Sequence, residues 1–449
     1  MLIPHTLESL AAALARGTLR SRDLVEDCLA RAADPDGEGA RAYVRLNPEQ
    51  ARRAADEADR RRRIGSPSEP YAGIPISVKD LFDVEGEVTM AGSVVLRGQA
   101  PARADAPSVA RLRRAGFIIL GRSNMTEFAY SGLGLNPHYG TPRNPYDRRR
   151  GRIPGGSSSG AAVSVADDMA AIGLGTDTGG SCRIPAALCG LTGFKPTSAR
   201  IPLDGVLPLS PSLDSVGTIG RSVDCCAAAD AILAGGAVPP IGIAPLAGLR
   251  IGVPRTIVLD DLDADVAAAF DRVLRRLGRA GAIVVDAAFG EFAELAAINA
   301  NGGLPAIESY AMHGAQMQRD GDRYDPRVRA RIELGAGQDA GAYRALQDRR
   351  ADWQRRVGRR MADFNVIAMP TVPTVAPAFD EVAEDGDYTR INLRMLRNPA
   401  IVNFLDGCAI SLPCHRAGDA PVGFTIAARA GQDLRLFAIA RAVESLLRD

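Results

Sequence analysis

The chain has 449 residues, 46% hydrophobic and 24% charged, and its 54 basic and 53 acidic residues leave a net charge of +1. That balance offers nothing to nucleic acid or to an anionic membrane surface, and no apolar run reaches the roughly 20 residues of a membrane span. The length suits one large α/β domain or two to three average ones. An odd count of seven cysteines without a Cys-x-x-Cys pair predicts reduced, buried thiols, not a disulfide framework or zinc site. The start, Met1-Leu-Ile-Pro-His5, lacks the basic and apolar regions of a signal peptide, which predicts a cytoplasmic protein. Only Lys79 and Lys195 are lysines; the other 52 basic residues are arginines. Arginine stays protonated in a protein whereas a buried lysine can be tuned into a base, so each lysine is a candidate for chemistry.

Thr6 caps a first helix with Leu7, Leu10, Ala11 and Leu14 on one face, and Ser21 caps a second carrying Leu24, Val25, Cys28 and Leu29. Residues 50–63 read as a third, solvated helix. Ile74, Ile76 and Val78 alternate as in a strand ending on Lys79, and ligands bind at strand ends in open α/β sheets. Residues 108–115 form a short helix feeding a buried strand at 117–120, and 121–130 opens another helix. Residues 136–152 are loop. Two glycine-serine clusters follow, one closing near Gly160 and one opening at Gly173, separated by an Ala- and Val-rich run at 161–172 suited to a packed helix or buried strand. Residues 201–213 form a Pro-punctuated loop, and 222–233 a helix. A strand at 248–254, a helix at 263–280 and a strand at 282–286 support α/β architecture. Residues 290–360 are helix-rich and peripheral, 365–370 a buried strand, and 380–390 an acidic, exposed excursion. Strands at 408–413 and 423–427 and a helix at 433–447 close the chain. With no tandem repeat or low-complexity linker, one large domain is expected.

Chemistry follows by elimination. A phosphate loop needs Gly-Lys-[Ser/Thr], but Val78 and Phe194 precede the two lysines. Gly156-Ser-Ser-Ser-Gly160 fits the bare Gly-x-Ser-x-Gly elbow with Ser158 as its serine, yet the last histidine, His415, stands in a context with no obvious acidic orienter. Ser-x-x-Lys fails too, since Ile76 and Thr192 stand three before the lysines. What remains is a serine activated by lysine. Thr178-Gly-Gly-Ser181 offers consecutive N–H groups beside a hydroxyl, a turn able to hold an acyl-transfer oxyanion.

These segments together resemble the amidase signature family. The resemblance rests on Gly155-Gly-Ser157-Ser-Ser-Gly160 through Gly175-Thr-Asp-Thr-Gly-Gly-Ser181-Cys-Arg-Ile-Pro185, with Gly73-Ile-Pro-Ile-Ser-Val-Lys79-Asp upstream. Asn124-Met-Thr-Glu-Phe-Ala129 and Gly193-Phe-Lys-Pro-Thr197 resemble further family segments. It implies a single domain over 1–449: N-terminal helices to 66, a signature core at 67–235, a peripheral helical section at 290–362, and a return to the sheet at 363–449. The implied fold is α/β, a mixed, mostly parallel sheet with helices on both faces.

The resemblance assigns Ser181 as nucleophile, Ser157 on a cis peptide as bridge, and Lys79 as base, with the amides of Thr178, Gly179, Gly180 and Ser181 as oxyanion hole. Met125, Phe128 and Tyr130 match a segment lining the site, and Asn301, Tyr310 and Arg394 are candidates for the far wall. Ser158 and Ser159 read as capping or structural hydroxyls, Asp177 and Arg183 as a supporting ion pair, Cys182 as packing, and Lys195 as structural. The implied activity is hydrolysis of a small-molecule amide without metal or organic cofactor. Alternatives are a carbamate or urea-like substrate, the glutaminase subunit of a tRNA-dependent amidotransferase, and a binding protein without activity. The partners expected are the small amide or carbamate and at most a second copy of the chain, as a homodimer.

Overall fold

The computed structural model describes residues 6–66 and 69–448. Residues 1–5, from which the lack of a signal segment is read, and residue 67, where the signature core is expected to open, lie outside them. The helices expected from periodicity form at Leu7–Ala15, Ser21–Ala33, Pro48–Arg63, Pro107–Arg114, Val223–Leu233, Ala264–Arg279 and Asp433–Arg448. Thr6 caps the first through a reciprocal bond with Ser9.

Among the described residues eleven strands form one sheet. In chain order they are β1 (Tyr43–Leu46), β2 (Pro75–Lys79), β3 (Ile118–Ser123), β4 (Ile172–Thr176), β5 (Thr192–Lys195), β6 (Val216–Gly220), β7 (Arg250–Pro254), β8 (Ile283–Ala287), β9 (Val366–Pro370), β10 (Cys408–Pro413) and β11 (Gly423–Ala428). Their spatial order is β1-β3-β2-β4-β6-β5-β10-β11-β9-β7-β8. The sheet is mixed, as expected, but it is not mostly parallel. Six pairings are antiparallel and four parallel, the parallel ones being β2 with β3 and β4, and β7 with β8 and β9. Alternation marks a strand without its direction, and the short link between β10 and β11 permits an antiparallel return that parallel crossovers cannot make.

Alternate residues of the central strands feed opposite faces. Ala368, Ile410 and Ile426 pack with Phe270 and Phe437, while Ile367, Met369, Ala409 and Ala427 pack with Trp353 and Phe404. Both faces are therefore covered by helices. The strands β1, β5 and β6 escape periodicity because all are short and β5 and β6 are also glycine-interrupted. In β5, a Cβ on Gly193 would stand 2.6 Å from Ala186 Cβ and 2.7 Å from the Cys182 carbonyl oxygen. Glycine there lets the helix Arg183–Leu188 lie directly on the sheet.

Two local expectations fail. Residues 121–130 continue β3 and then make a single 3₁₀ turn at Glu127–Ala129, because Phe128 (φ 49°) and Ala129 (φ 60°) leave helical space. The acidic stretch at 380–390 is no excursion: Asp385 and Asp387 begin the long helix Asp385–Leu405, where carboxylates oppose the positive helix end. The section at 290–360 is helical as read, with helices Gly303–Asp320, Pro326–Glu333 and Ala340–Met361. No helix among the described residues is long and apolar enough to cross a membrane.

Candidate active site

Lys79 is the last residue of β2 and Thr176 the last of its parallel neighbour β4, so both end at the same edge of the sheet. Lys79 is fully buried, and its Nζ donates to Ser157 Oγ at 2.7 Å and to Thr176 Oγ1 at 2.9 Å. Burial lowers its pKa to about 8, against the opposing fields of Cys182, Asp214 and Asp177. Ser157 follows a cis peptide from Gly156, in the loop that opens the helix Ser159–Ala166. The bridge between Lys79 and Ser157 is thus made.

Ser181 lies in the turn after β4, 3% exposed. The Ser158 N–H donates to its carbonyl at 3.3 Å, which ties the two glycine-serine clusters together. No hydrogen bond joins the Ser157 and Ser181 hydroxyls among the described residues, so the second half of the relay is not closed in this conformation.

Asp177 organises the turn. Its Oδ1 accepts the Gly180 N–H at 2.9 Å and its Oδ2 the Cys182 N–H at 3.1 Å. Arg183 grips the same carboxylate at 3.0 and 2.9 Å, and Asn403 adds 2.9 Å to Oδ1. Burial alone would raise this carboxyl, but the Arg183 charge and these donors hold it well below the ordinary range. The supporting ion pair is as read. Its consequence is that Gly180 N–H is already engaged, leaving Thr178, Gly179 and Ser181 with N–H groups that have no acceptor among the described residues. Gly180 sits at φ +122°, and a Cβ there would stand 2.7 Å from the Pro399 ring.

Cys182 is buried with its thiol pushed up to about 12 by burial, consistent with packing. Lys195 is likewise fully buried, donating to the carbonyls of Pro196 (2.6 Å) and Gly407 (2.7 Å), a structural post. Ser158 and Ser159 reach the carbonyls of Thr176 and Asn124 at 3.4 Å each and cap nothing.

The expected pocket segment is less simply placed. Met125, Phe128 and Tyr130 are buried in the core. Phe128 lies 4.2 Å from the His313 ring, and Arg331 stacks over Tyr130 at 4.6 Å. From Tyr130 the chain runs through Ser131 to Gly132, whose carbonyl accepts the Gly156 N–H at 2.8 Å. Two surface cavities, of about 330 and 470 Å³, are lined by none of Lys79, Ser157 and Ser181; Arg394 lines the first and His313 the second. Asn301 is exposed, Tyr310 half-buried, and Arg394 paired with Asp261 and Asp263. None of the three is hydrogen-bonded to Lys79, Ser157 or Ser181 among the described residues.

The far wall is expected from residues 290–400, but the residues of the helix Asp385–Leu405 that meet the turn are others than the Arg394 named there. Asn392 accepts from Ser131 Oγ and Gly132 N–H, Leu396 faces Gly132 and Gly179, Pro399 faces Gly180, and Asn403 holds Asp177. The spacing 392, 396, 399, 403 is a helical face. Pro399 inside the helix disguises it.

With this geometry, similarity to known proteins is specific. A family model described as Amidase matches residues 23–437. The chain belongs to the amidase family. As an amidase it is a hydrolase acting on carbon–nitrogen bonds other than peptide bonds, those of small amides. It is 36% identical over 443 residues to a 2-amino-5-chloromuconic acid deaminase of Comamonas testosteroni, covering 97% of this chain and 95% of that one. One subunit of a glutamyl-tRNA(Gln) amidotransferase of Chloroflexus aggregans is 32% identical over 481 residues, 98% and 96% of the two chains. A crystal structure of an amidase superposes with a TM-score of 0.88 at 29% identity, over 99% of this amidase and all of the other.

Proposed function

We propose that this amidase hydrolyses a small amide carrying a carboxylate, through a Ser181 acyl-enzyme and a proton relay over Ser157 and Lys79. The observation that carries the relay is Lys79: fully buried, 2.7 Å from Ser157 Oγ, with its pKa brought down to about 8. When Lys79 is neutral, Ser157 gives its proton to Nζ and takes one from Ser181 as Ser181 Oγ attacks the carbonyl carbon. The C–O bond formed turns the carbonyl π pair into an oxyanion, facing the N–H groups of Thr178, Gly179 and Ser181. Collapse breaks the C–N bond, and the relay run backwards protonates the leaving amine. Water then attacks the ester by the same path and frees Ser181 and the acid. The relay requires the Ser157 and Ser181 hydroxyls to meet once substrate is seated.

Arg331 supports the acidic substrate. Its guanidinium lies over Tyr130, whose segment leads to Gly156, and has no carboxylate partner among the described residues. A cation without a carboxylate partner suits an anionic group on a ligand, and the Comamonas relative is named for an acid substrate. Amide, carbamate and urea-like bonds share this acyl chemistry. The amidotransferase likeness favours a second reading, glutamine hydrolysis within a larger assembly. We propose a soluble cytoplasmic setting with the substrate, and a second copy of the chain, as partners.

The test is turnover of a panel of amides, carbamates, ureas and glutamine, each with and without a free carboxylate. Arg331→Met should raise KM for the acidic member of a pair by roughly 10–100-fold, leaving the uncharged one within about twofold. Equal effects on both would remove the carboxylate from the reading, and no turnover of any carbon–nitrogen bond would remove the whole of it.

A further inference from the structure

Asp214 stands just before β6, 4% exposed, and no arginine or lysine pairs with it among the described residues. Its Oδ2 accepts the N–H groups of Leu209 and Ser210 at 3.0 and 3.1 Å, and its Oδ1 accepts the Thr178 hydroxyl at 2.5 Å. A second buried acid without a cation backs it. Glu308, 9% exposed on the helix Gly303–Asp320, accepts from the hydroxyls of Ser210, Ser212 and Tyr343. Ser210 is the link, giving its N–H to Asp214 and its hydroxyl to Glu308.

Two buried carboxylates held only by neutral donors are costly, and removing one acceptor would leave three donors without partners. Such a pair is an awkward way to anchor a loop. What Asp214 gains is a charge-assisted bond to the residue whose own N–H faces the site. The turn is then held from two sides: Asp177 takes the amides of Gly180 and Cys182, and Asp214 takes the side chain of Thr178.

We propose that Asp214 is a positioning residue, whose carboxylate grips the Thr178 hydroxyl and so fixes the main-chain N–H groups that receive the oxyanion. This rests on the oxyanion turn proposed above. The charged and titratable groups around Asp214 are Lys79 of β2, Asp177 of the turn, Glu308, and Tyr343 and Arg350 of the helix Ala340–Met361; Arg350 donates to the Ser212 carbonyl at 3.0 Å. Burial raises Asp214 to about 6, opposed by its three hydrogen bonds, so the grip is charge-assisted at neutral pH and weakens as acid protonates it.

The test is the second-order rate at which a fluorophosphonate labels Ser181, followed by intact-protein mass from pH 5 to 9. The phosphonyl oxygen occupies the oxyanion position whatever the natural substrate. Wild type, Asp214→Asn, Thr178→Val and the double variant are compared, with thermal melting of each. The asparagine keeps an acceptor for Thr178 but loses the charge, and meets the Leu209 and Ser210 donors with an amide on one side. Each single variant should label about 10–100-fold more slowly, and the double no more slowly than the slower single. Wild type should lose rate below pH 6 more steeply than one proton on Lys79 allows, and Asp214→Asn should show the one-proton slope alone. Multiplying losses, an unchanged rate in Asp214→Asn, or identical acid slopes would overturn the proposal. If Asp214→Asn does not fold, Thr178→Val decides by itself: full labelling refutes the proposal. Absence of any Ser181 adduct in wild type would instead sink the oxyanion turn itself, a distinguishable failure.

Discussion

Replacing Lys79 with arginine keeps the positive charge and removes the ability to give it up. At pH 7 an amine with a pKa of about 8 is neutral in roughly one molecule in ten, against about one in three thousand at the ordinary 10.5. Arginine, above 12, leaves fewer than about one in 10⁵ neutral, so the base population falls by about 10⁴-fold. Lys79→Arg should therefore lose about 10³–10⁴-fold in kcat/KM, as badly as Lys79→Met. The methionine variant separates base loss from crowding. Because the folded pKa lies below the unfolded one, the unfolded chain binds the extra proton between about pH 8 and 10.5, and Lys79's contribution to stability rises with pH through that window. At pH 7 the buried ammonium costs about 3 kcal/mol. Lys79→Met removes that cost but also two hydrogen bonds worth about 1 kcal/mol each, so it should be inactive and about 1 kcal/mol more stable. The assay is initial-rate hydrolysis from pH 5 to 9 beside urea unfolding at pH 7. Wild-type kcat/KM should climb by about tenfold from pH 6 to 7, less steeply from 7 to 8, and level off above 8. An arginine variant keeping more than about 1% of activity, or a wild-type profile flat from pH 6 to 8, would refute the relay.

Gly180→Ala should cut kcat by at least about 100-fold and lower the melting temperature, since its Cβ meets the Pro399 ring at 2.7 Å on a backbone at φ +122°. Asp177→Asn leaves Arg183 charged and fully buried, and should cost about 3–5 kcal/mol in denaturant unfolding; a neutral result would deny the ion pair its structural role. Iodoacetamide at pH 8 should leave native activity intact, because burial holds the Cys182 thiol up at about 12; inactivation with label on Cys182 would point to a thiol mechanism.

The site was legible in the sequence where composition or backbone demands were extreme. The two lysines among 54 basic residues both prove fully buried. Scarcity alone makes both candidates for chemistry, whereas the family resemblance reads Lys195 as structural, and its ammonium does donate to two carbonyls. Scarcity finds the burial, and the contacts decide the role. The glycine-serine clusters were visible for a related reason: a backbone at φ +122° beneath the Pro399 ring leaves few substitutes at Gly180.

What stayed hidden depends on long-range pairing. Asn403 and Asp177 are 226 residues apart, and nothing local in either marks the bond between them. Asp214 sits in an unremarkable Ser-Leu-Asp-Ser run, and Glu308 in an ordinary helix; only folding sets them on either side of Ser210. Strand direction was invisible for the same cause, since β10 and β11 alternate alike whichever way they run. The helix Asp385–Leu405 was obscured by its own strengths, acidic residues that suit a helix start and a proline that packs on Gly180.

The central claim is that Ser181 carries the acyl group. Its most direct measurement is the intact mass of the protein after reaction with an activated aryl carbamate, followed by peptide mapping. A single carbamoyl group on the peptide containing Ser181, absent from Ser181→Ala and slowed in Lys79→Arg, is the predicted result. A group on any other residue, or equal labelling of Ser181→Ala, would contradict it.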